Sequence, residues 1–183
     1  MTAAVLLCAG GATRFEGAEH KLLTPFRGRP LVSWSLEHVL AAGFHDVIVV
    51  EGAVALKEVA EGAVLVRNPD WASGQATSLQ VGIREAAARG HESVVVGLGD
   101  QPFVSPACWQ AVADGSGAIV VAVFGGRRTP PVRLAREVWD LLPTEGDLGA
   151  RDLIATRSDL VQEVRCDGEP VDIDTKEDVA RWG

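Results

Sequence analysis

Three stretches of this sequence combine glycines, basic residues and carboxylates that could bind a phosphate group and a cation. The first spans residues 10–21 and reads GGATRFEGAEHK. Adjacent glycines at Gly10 and Gly11 allow backbone N–H groups to turn toward an anion, and Arg14 and Lys21 add two cationic groups for phosphate oxygens. The stretch matches neither G-x-G-x-x-G nor the P-loop motif. A surface turn with solvated charges explains its composition equally well.

The second stretch is an aspartate that directly follows an apolar run. Asp100 ends the sequence VVVGLGD and is followed by Gln-Pro. A carboxylate in this position lies at the end of a buried strand, where α/β sheets bind their ligands. Mg²⁺ prefers one or two such carboxylates together with substrate phosphates. The alternative is that Asp100 caps the next helix, for which Ser105 is the better candidate.

The third stretch, VDIDTKEDV at residues 171–179, places two acids on one side of an extended segment. Asp172 and Asp174 alternate with apolar residues on this strand-like segment, so their side chains point the same way. Thr175 and Asp178 have the spacing of a capping box that opens a final helix. Asp172 and Asp174 are therefore candidate metal ligands beside Asp100, because the three acids would repel each other without a cation. A solvated edge strand explains them nearly as well.

Strand-like and helix-like segments alternate along the chain and would position these three stretches. Short apolar runs predict strands at residues 3–10, 46–52, 63–69, 93–100, 117–126 and 160–166. Helical periodicity and capping residues predict helices at 31–43, 76–90, 105–115, around 134–142, 149–155 and 176–182. This alternation indicates a doubly wound, mostly parallel α/β sheet. No linker or repeat divides the sequence, so we expect one domain over residues 1–183.

Composition excludes several classes of function. The 183 residues carry a formal net charge of −8, and no basic cluster is large enough for a nucleic-acid partner. No apolar run is long enough to span a membrane and no secretion signal opens the sequence, so we expect a cytoplasmic protein. Cys8, Cys108 and Cys166 are far apart without a CxxC pair, which predicts no disulfide. The four histidines lack zinc-binding spacing, so zinc catalysis is not expected.

Taken in order, these stretches resemble the molybdenum-cofactor nucleotidyltransferases, which include molybdopterin cytidylyl- and guanylyltransferases. LCAGGATRFEGAEHKLL resembles the family's opening L-A-[AG]-G-x-[SG]-x-R-[FM]-G-x-x-K, and GRPLV follows it. Four further family motifs have counterparts in the same order: NPDWASGQATSLQVG, GLGDQPFV, EGDLGARDLI and DIDTKEDV resemble them. The resemblance covers nearly the whole chain. It implies a three-layer, Rossmann-like nucleotidyltransferase fold.

The resemblance also implies a reaction, in which a phosphate monoester attacks the α-phosphorus of an NTP and pyrophosphate leaves. Mg²⁺ is the implied cofactor, and an NTP and molybdopterin are the implied substrates. A molybdoenzyme or its maturation factor is a possible protein partner. No covalent nucleophile is needed, so the cysteines have no implied catalytic role.

Individual positions take their implied roles from the matching motifs. The residues implied in catalysis are Arg14, Lys21 and Asp100. Those implied in nucleotide binding are Leu7, Cys8, Ala9, Gly10, Gly11, Arg14, Lys21, Asn68, Gly74, Ser78 and Asp100. The implied metal ligands are Asp100 and Asp174, with Asp172 as the alternative to Asp174. The implied pterin side comprises Asp147, Gly149 and Arg151.

The sequence departs from the family pattern at two points, and one residue bears on the choice of base. About two extra residues separate Arg14 from Lys21, and Ala12 stands where the family has a small polar residue. Ala9 matches the cytidylyl type, which reads L-A-A-G, so the resemblance favours CTP over GTP. Two alternatives stay open: nucleotidyl transfer to another small phosphate ester, and a non-catalytic nucleotide- or cofactor-binding accessory protein.

Overall fold

The chain folds around a seven-stranded sheet. The structure is a computed structural model and describes residues 1–13, 15 and 19–183. The strands of the sheet are β1 (Thr2–Cys8), β4 (Val47–Glu51), β5 (Val64–Arg67), β6 (Ser93–Leu98), β7 (Ile119–Phe124), β8 (Arg127–Ala135) and β9 (Val161–Arg165). Two further strands, β2 (Pro25–Phe26) and β3 (Arg29–Pro30), form a separate small ribbon. Short apolar runs with β-branched residues account for the central strands, which are buried on both faces.

The strand order is β5-β4-β1-β6-β8-β7-β9. Strand β1 pairs in parallel with β4 on one side and with β6 on the other, so Ala4 faces both Val47 and Val95. Only β8 runs antiparallel to its neighbours β6 and β7. The mostly parallel α/β sheet that the sequence predicts is therefore confirmed.

The described residues form five α-helices: α1 (Leu31–Ala41), α2 (Gln75–Ala88), α3 (Pro106–Ala113), α4 (Arg151–Thr156) and α5 (Lys176–Trp182). Helices α1 and α3 pack in one apolar core, and α2 packs in the core on the other face of the sheet. The layers are thus helix, sheet and helix, as expected. Within the described ranges, no helix combines the length and apolar character needed to cross a bilayer.

The prediction of a helix around residues 134–142 is wrong in part. Residues 127–135 form strand β8, and only Arg136–Leu141 turns, as a 3₁₀ helix. The apolar spacing of Leu134, Val138 and Trp139 resembles a helix, but these three side chains pack together in the core on the α2 face. Strand β8 was not predicted because the exposed arginines and Pro130-Pro131 within it are typical of a turn.

The prediction that the chain has no disulfide is also wrong. Cys108 in α3 is bonded to Cys166 just after β9, with their Cα atoms 5.4 Å apart. Sequence spacing could not reveal this pair, because 58 residues separate the two cysteines and the sheet order brings them together. Cys8 is free and buried.

Candidate active site

A cleft of about 650 Å³ opens at the carboxyl ends of β1 and β6. It brings together most of the side chains that the sequence singles out. The predicted residues that line it are Leu7, Ala9, Gly10, Gly11, Lys21, Gly74, Ser78, Asp100, Asp147, Arg151, Asp172 and Asp174. Its position agrees with the rule that open α/β sheets bind ligands beyond the carboxyl ends of their strands.

The alternation of side chains along β1 decides which of its last residues reach the cleft. Leu7 and Ala9 lie on the α2 face of the sheet, where the cleft opens. Cys8 points to the opposite core, and burial followed by the nearby charge of Asp100 raises the pKa of its thiol. The side chain of Cys8 therefore does not line the cleft, although it lies close enough to Asp100 to feel its charge.

The glycine turn after β1 is held by two aromatic side chains that the sequence analysis did not single out. A Cβ on Gly11 would lie 2.7 Å from Cζ3 of Trp71, so only glycine allows this close approach. His20 Nε2 lies 2.8 Å from the carbonyl oxygen of Gly10, and Leu22 N–H donates to His20 Nδ1. The acceptor role of Nδ1 assigns the proton to Nε2, which donates to Gly10. Burial lowers the pKa of His20, which favours this neutral form.

Lys21 bridges two carboxylates of the cleft. Its Nζ atom donates to Asp100 Oδ2 at 2.7 Å and to Asp174 Oδ1 at 2.8 Å. The Lys21 side chain is only 10% exposed. Burial alone would lower the pKa of Lys21, but the charge of Asp100 and the hydrogen bonds to both aspartates outweigh it and raise the pKa. Lys21 is therefore a permanent cation within the acidic part of the cleft.

Asp172 is the third acid of this group, and Gln101 holds it. The buried Gln101 donates from Nε2 to Asp172 Oδ1 at 2.7 Å. Burial raises the pKa of Asp172; the hydrogen bond from Gln101 opposes this, and the charges of Asp100 and Asp174 add to it. Gln101 directly follows Asp100 in the sequence, but no sequence motif points to its hydrogen bond with Asp172.

The segment that carries Asp172 and Asp174 is fixed by its backbone and by helix α5. Ile173 is fully buried between the two acids, and its N–H donates to the carbonyl oxygen of Asp100 at 3.0 Å. The capping box predicted from Thr175 and Asp178 is present at the start of α5. The strand-like segment forms no strand, but both acids line the cleft, as their alternation with Ile173 predicts.

Asn68, Ser78 and Gly74 shape the wall of the cleft on the side of α2. Asn68 is buried and donates through Nδ2 to the Ser78 hydroxyl at 2.9 Å, so it supports this wall without lining it. Gly74 has φ of 108°, and a Cβ there would collide with the backbone of Gly146. This close approach lets Ala76 N–H donate to the carbonyl oxygen of Gly146 at 2.9 Å. The loop at Gly146 is thereby attached to the start of α2.

The same loop carries the residues that the resemblance assigns to the pterin. Asp147 and Arg151 line the cleft. Gly149 lies behind them: its φ is 53°, and a Cβ there would approach the side chain of Gln75. Arg14, the remaining predicted residue, lies outside the described residues.

The side chains of the cleft carry more negative than positive charge. Among the described lining residues, four aspartates face the two cations Lys21 and Arg151. Asp100 Oδ1 is buried and has no hydrogen-bond partner in the described part of the chain. Carboxylate oxygens are the ligands that Mg²⁺ prefers in proteins. The residues present therefore fit a divalent cation at Asp100.

Comparison with known proteins agrees with the fold. Residues 4–163 match the model of the MobA-like NTP transferase domain. The chain is 34% identical to nicotine blue oxidoreductase of Paenarthrobacter nicotinovorans over 97% of this chain and 94% of that protein. It also matches bifunctional GlmU proteins of rhizobia but spans only about a third of their length, for example 35% of the Rhizobium leguminosarum protein.

Two solved structures share the fold over nearly their whole length. A nucleotidyl transferase from Methanothermobacter is 25% identical, with a TM-score of 0.84 over 99% of this chain and 95% of that chain. Rv0371c of Mycobacterium tuberculosis, solved in complex with manganese, is 30% identical, with a TM-score of 0.80 over 99% of this chain and 97% of that chain. The fold and the family model define a nucleotidyltransferase. The chain belongs to the MobA-like NTP transferase family.

Proposed function

We propose that this enzyme transfers a nucleotidyl group from CTP to the phosphate of molybdopterin and releases pyrophosphate. The observation that carries the proposal is the bridge of Lys21 to Asp100 and Asp174, beside a glycine turn at the same sheet edge. A nucleotidyl transfer needs a phosphate site and a cation site side by side, because charge on the transferring group has to be neutralised.

The phosphate side of the proposed site is the turn after β1. The backbone of Gly10 and Gly11 would bind the triphosphate, since neither glycine places a side chain between the backbone and a ligand. Lys21 would supply a fixed positive charge, and Arg14 a second one. His20 and Trp71 keep this turn in place through their contacts with Gly10 and Gly11.

The cation side of the proposed site consists of Asp100 and Asp174, with Asp172 as a further candidate ligand. These residues would hold Mg²⁺, which when bound neutralises charge on the α-phosphate and leaving pyrophosphate. The unpartnered Asp100 Oδ1 supports this assignment. The manganese complex of the related Rv0371c supports a divalent cation in this fold. Gln101 would hold Asp172 in its orientation through the hydrogen bond from Nε2.

The remaining wall of the cleft would select the two organic groups. We assign the base and ribose to the backbone of Leu7, Cys8 and Ala9 and to Gly74 and Ser78, with Asn68 as support. We assign the pterin phosphate to Asp147 and Arg151, with Gly149 shaping the loop between them. Ala9 favours CTP over GTP, because it matches the cytidylyl type of the family. We further propose that the 183 residues act as one domain in the cytoplasm and pass the product to a molybdoenzyme or its maturation factor.

Three other functions are distinguishable from this one. The acceptor could be another small phosphate ester, the base could be guanine, or the chain could bind a nucleotide or cofactor without catalysis. A fourth possibility comes from the relative named nicotine blue oxidoreductase, whose name describes a redox reaction. The four aspartates and Lys21 favour phosphoryl chemistry, because carboxylates and a lysine suit metal and phosphate binding.

The test is an assay of pyrophosphate release with Mg²⁺, molybdopterin and each NTP in turn. We expect release with CTP to exceed release with GTP. Pyrophosphate release that occurs only when another phosphate ester replaces molybdopterin would identify that ester as the acceptor. No release with any NTP, together with oxidation of NAD(P)H in a parallel dye-reduction assay, would overturn the proposal in favour of a redox function. No turnover in either assay would favour the alternative of a non-catalytic protein that binds a nucleotide or cofactor.

Asp100→Ala tests the cation side directly. We expect turnover to be abolished while the far-UV circular dichroism and melting temperature stay near those of the unmodified protein. Asp140→Ala is the matched control, because Asp140 is exposed and does not line the cleft. Near-normal turnover of Asp100→Ala would rule out the metal assignment.

A further inference from the structure

A second group of metal-ligating side chains lies at the edge of the sheet opposite the cleft. Asp46 and His45 precede the first residue of β4, and His91 lies shortly before β6. One ligand atom from each of these residues lies within 4.8 Å of the other two. Because β4 and β6 run parallel, the turns that lead into them meet at one edge. Sequence spacing could not predict this group, since Asp46 and His91 are 45 residues apart.

The three side chains are already arranged around one carboxylate oxygen. Asp46 Oδ2 lies 2.7 Å from His91 Nε2 and 3.4 Å from His45 Nδ1. Arg89 approaches the other oxygen, Oδ1, at 3.5 Å, and has a closer partner in Glu85 at 2.7 Å. Asp46 Oδ2 and the two imidazole nitrogens are therefore directed at the same small volume.

The exposure of the three residues leaves one side of this volume open. His91 is fully buried, the Asp46 side chain is 16% exposed, and the His45 side chain is 74% exposed. Because His91 is buried, the Asp46 carboxylate is mostly covered and His45 lies at the surface, the remaining coordination position of a cation would be left to water. Two imidazole nitrogens and one carboxylate oxygen suit Zn²⁺ and similar transition metals rather than Mg²⁺ or Ca²⁺.

We propose that His45, Asp46 and His91 bind a transition-metal cation of the Zn²⁺ type, separately from the catalytic cleft. The cation would replace the hydrogen bond between Asp46 and His91 and would connect the α1–β4 turn to the α2–β6 turn. The proton of His91 would move to Nδ1, which is buried and has no partner in the described part of the chain. Metal-bound histidines usually donate this proton to a second group. The affinity should therefore be about 10- to 100-fold below that of a fully supported site.

The experiment uses the metal-free full chain and titrates it with Co²⁺, followed by visible absorption, and with Zn²⁺, followed by calorimetry. We expect nitrogen ligation to give Co²⁺ an absorption that oxygen ligands alone do not produce. His45→Ala removes only an exposed side chain, so it should fold normally. It should abolish that absorption and weaken the corresponding Zn²⁺ binding by at least about tenfold. Zn²⁺ should also raise the melting temperature of the unmodified protein more than that of His45→Ala.

His20→Ala is the matched control, because it removes an imidazole at the opposite edge of the sheet, near the cleft. The absorption should persist in His20→Ala and be lost in Asp46→Asn. Equal Co²⁺ absorption and equal Zn²⁺ binding in the unmodified protein and His45→Ala would overturn the proposal. Loss of the signal in His20→Ala with retention in His45→Ala would place the bound metal in the cleft and would overturn it as well. Neither result depends on whether the chain transfers a nucleotide.

Discussion

The ammonium group of Lys21 donates a hydrogen bond to Asp174 Oδ1 across 2.8 Å, although 153 residues separate the two in sequence. The same group reaches Asp100 at 2.7 Å, so one cation joins the turn after β1, the end of β6 and the segment before α5. Lys21 therefore joins three segments of the cleft and neutralises part of the negative charge of Asp100 and Asp174.

Lys21→Met should remove this cation while keeping most of the volume of the side chain. We expect kcat/KM for the NTP to fall by about 100-fold, because the proposed function uses the charge of Lys21 to stabilise the transferring phosphates. Steady-state kinetics measure this. Lys57→Met is the control, since Lys57 is exposed and lies outside the cleft. A change of less than threefold in Lys21→Met would show that Lys21 serves the structure of the acidic group alone.

Asp172→Asn should make the protein more stable and less active at pH 7. Because burial raises the pKa of Asp172 in the folded state, its ionisation costs more there than in the unfolded chain. Asparagine avoids this cost and can still accept the hydrogen bond from Gln101. The raised pKa of Asp172 contributes to the free energy of unfolding below the unfolded pKa, near 3.8. This contribution is lost as the pH rises through the higher pKa of the folded state.

The predicted gain in stability is tested by measuring the melting temperatures of Asp172→Asn and of the unmodified protein from pH 3 to 8. We expect the stabilisation to be present at neutral pH and to vanish as the pH falls toward the ordinary pKa of aspartate. A variant that is less stable than the unmodified protein at pH 7 would contradict the prediction. Activity should fall in the same variant if Asp172 contributes to the cation site.

Gly11→Ala should damage both stability and activity. The new Cβ would lie 2.7 Å from the ring of Trp71, so the glycine turn or the ring has to move. Overpacking of this kind costs about 1–3 kcal/mol in the free energy of unfolding. Displacement of the phosphate-binding turn could lower kcat/KM by up to about 100-fold. Chemical denaturation and steady-state kinetics give the two values.

Gly10→Ala is the matched control for this substitution, because a Cβ on Gly10 meets no atom within 4 Å. It should leave the free energy of unfolding nearly unchanged. Combining Gly11→Ala with Trp71→Leu should recover part of the lost stability, since leucine vacates the space of the ring. Equal destabilisation by Gly10→Ala and Gly11→Ala would disprove the role assigned to the ring.

Cys166→Ser should lower stability under oxidising conditions. The bond between Cys108 and Cys166 closes a long loop between α3 and β9, and its loss typically costs about 2–4 kcal/mol. A reducing agent should lower the melting temperature of the unmodified protein and leave that of Cys166→Ser unchanged. Equal sensitivity of both proteins to the reducing agent would mean that the bond contributes nothing to stability.

The sequence predicts those strands and helix ends whose own residues, or immediate neighbours, have a characteristic type. The runs around Val5, Val49 and Val95 indicate buried strands, and Thr175 with Asp178 indicates the start of α5. Strand β8 does not follow from the local pattern, because it begins with the exposed Arg127 and Arg128 and contains Pro130-Pro131. Its pairing with β6 and β7 depends on long-range contacts that local patterns do not report.

Some features of the candidate site can likewise be predicted from local sequence, and others depend on how distant segments come together. Asp100 follows an apolar run directly, and a rule about strand ends is enough to place it at the edge of the sheet. The side to which Cys8 points depends on the register of β1. The contact of His20 with Gly10 joins residues ten positions apart, which no spacing rule describes. The disulfide and the group of His45, Asp46 and His91 likewise arise only from strand order.

Trp71 differs from the buried tryptophans of the two cores in its position at the cleft. Its indole ring is partly exposed, lines the cleft and rests against the glycine turn, while Trp109 and Trp139 are buried in the two cores. A molecule that enters the cleft changes the polarity around this ring more than around the buried ones. The intrinsic fluorescence of the protein thus contains an optical reporter of occupancy at the site, available without any attached label.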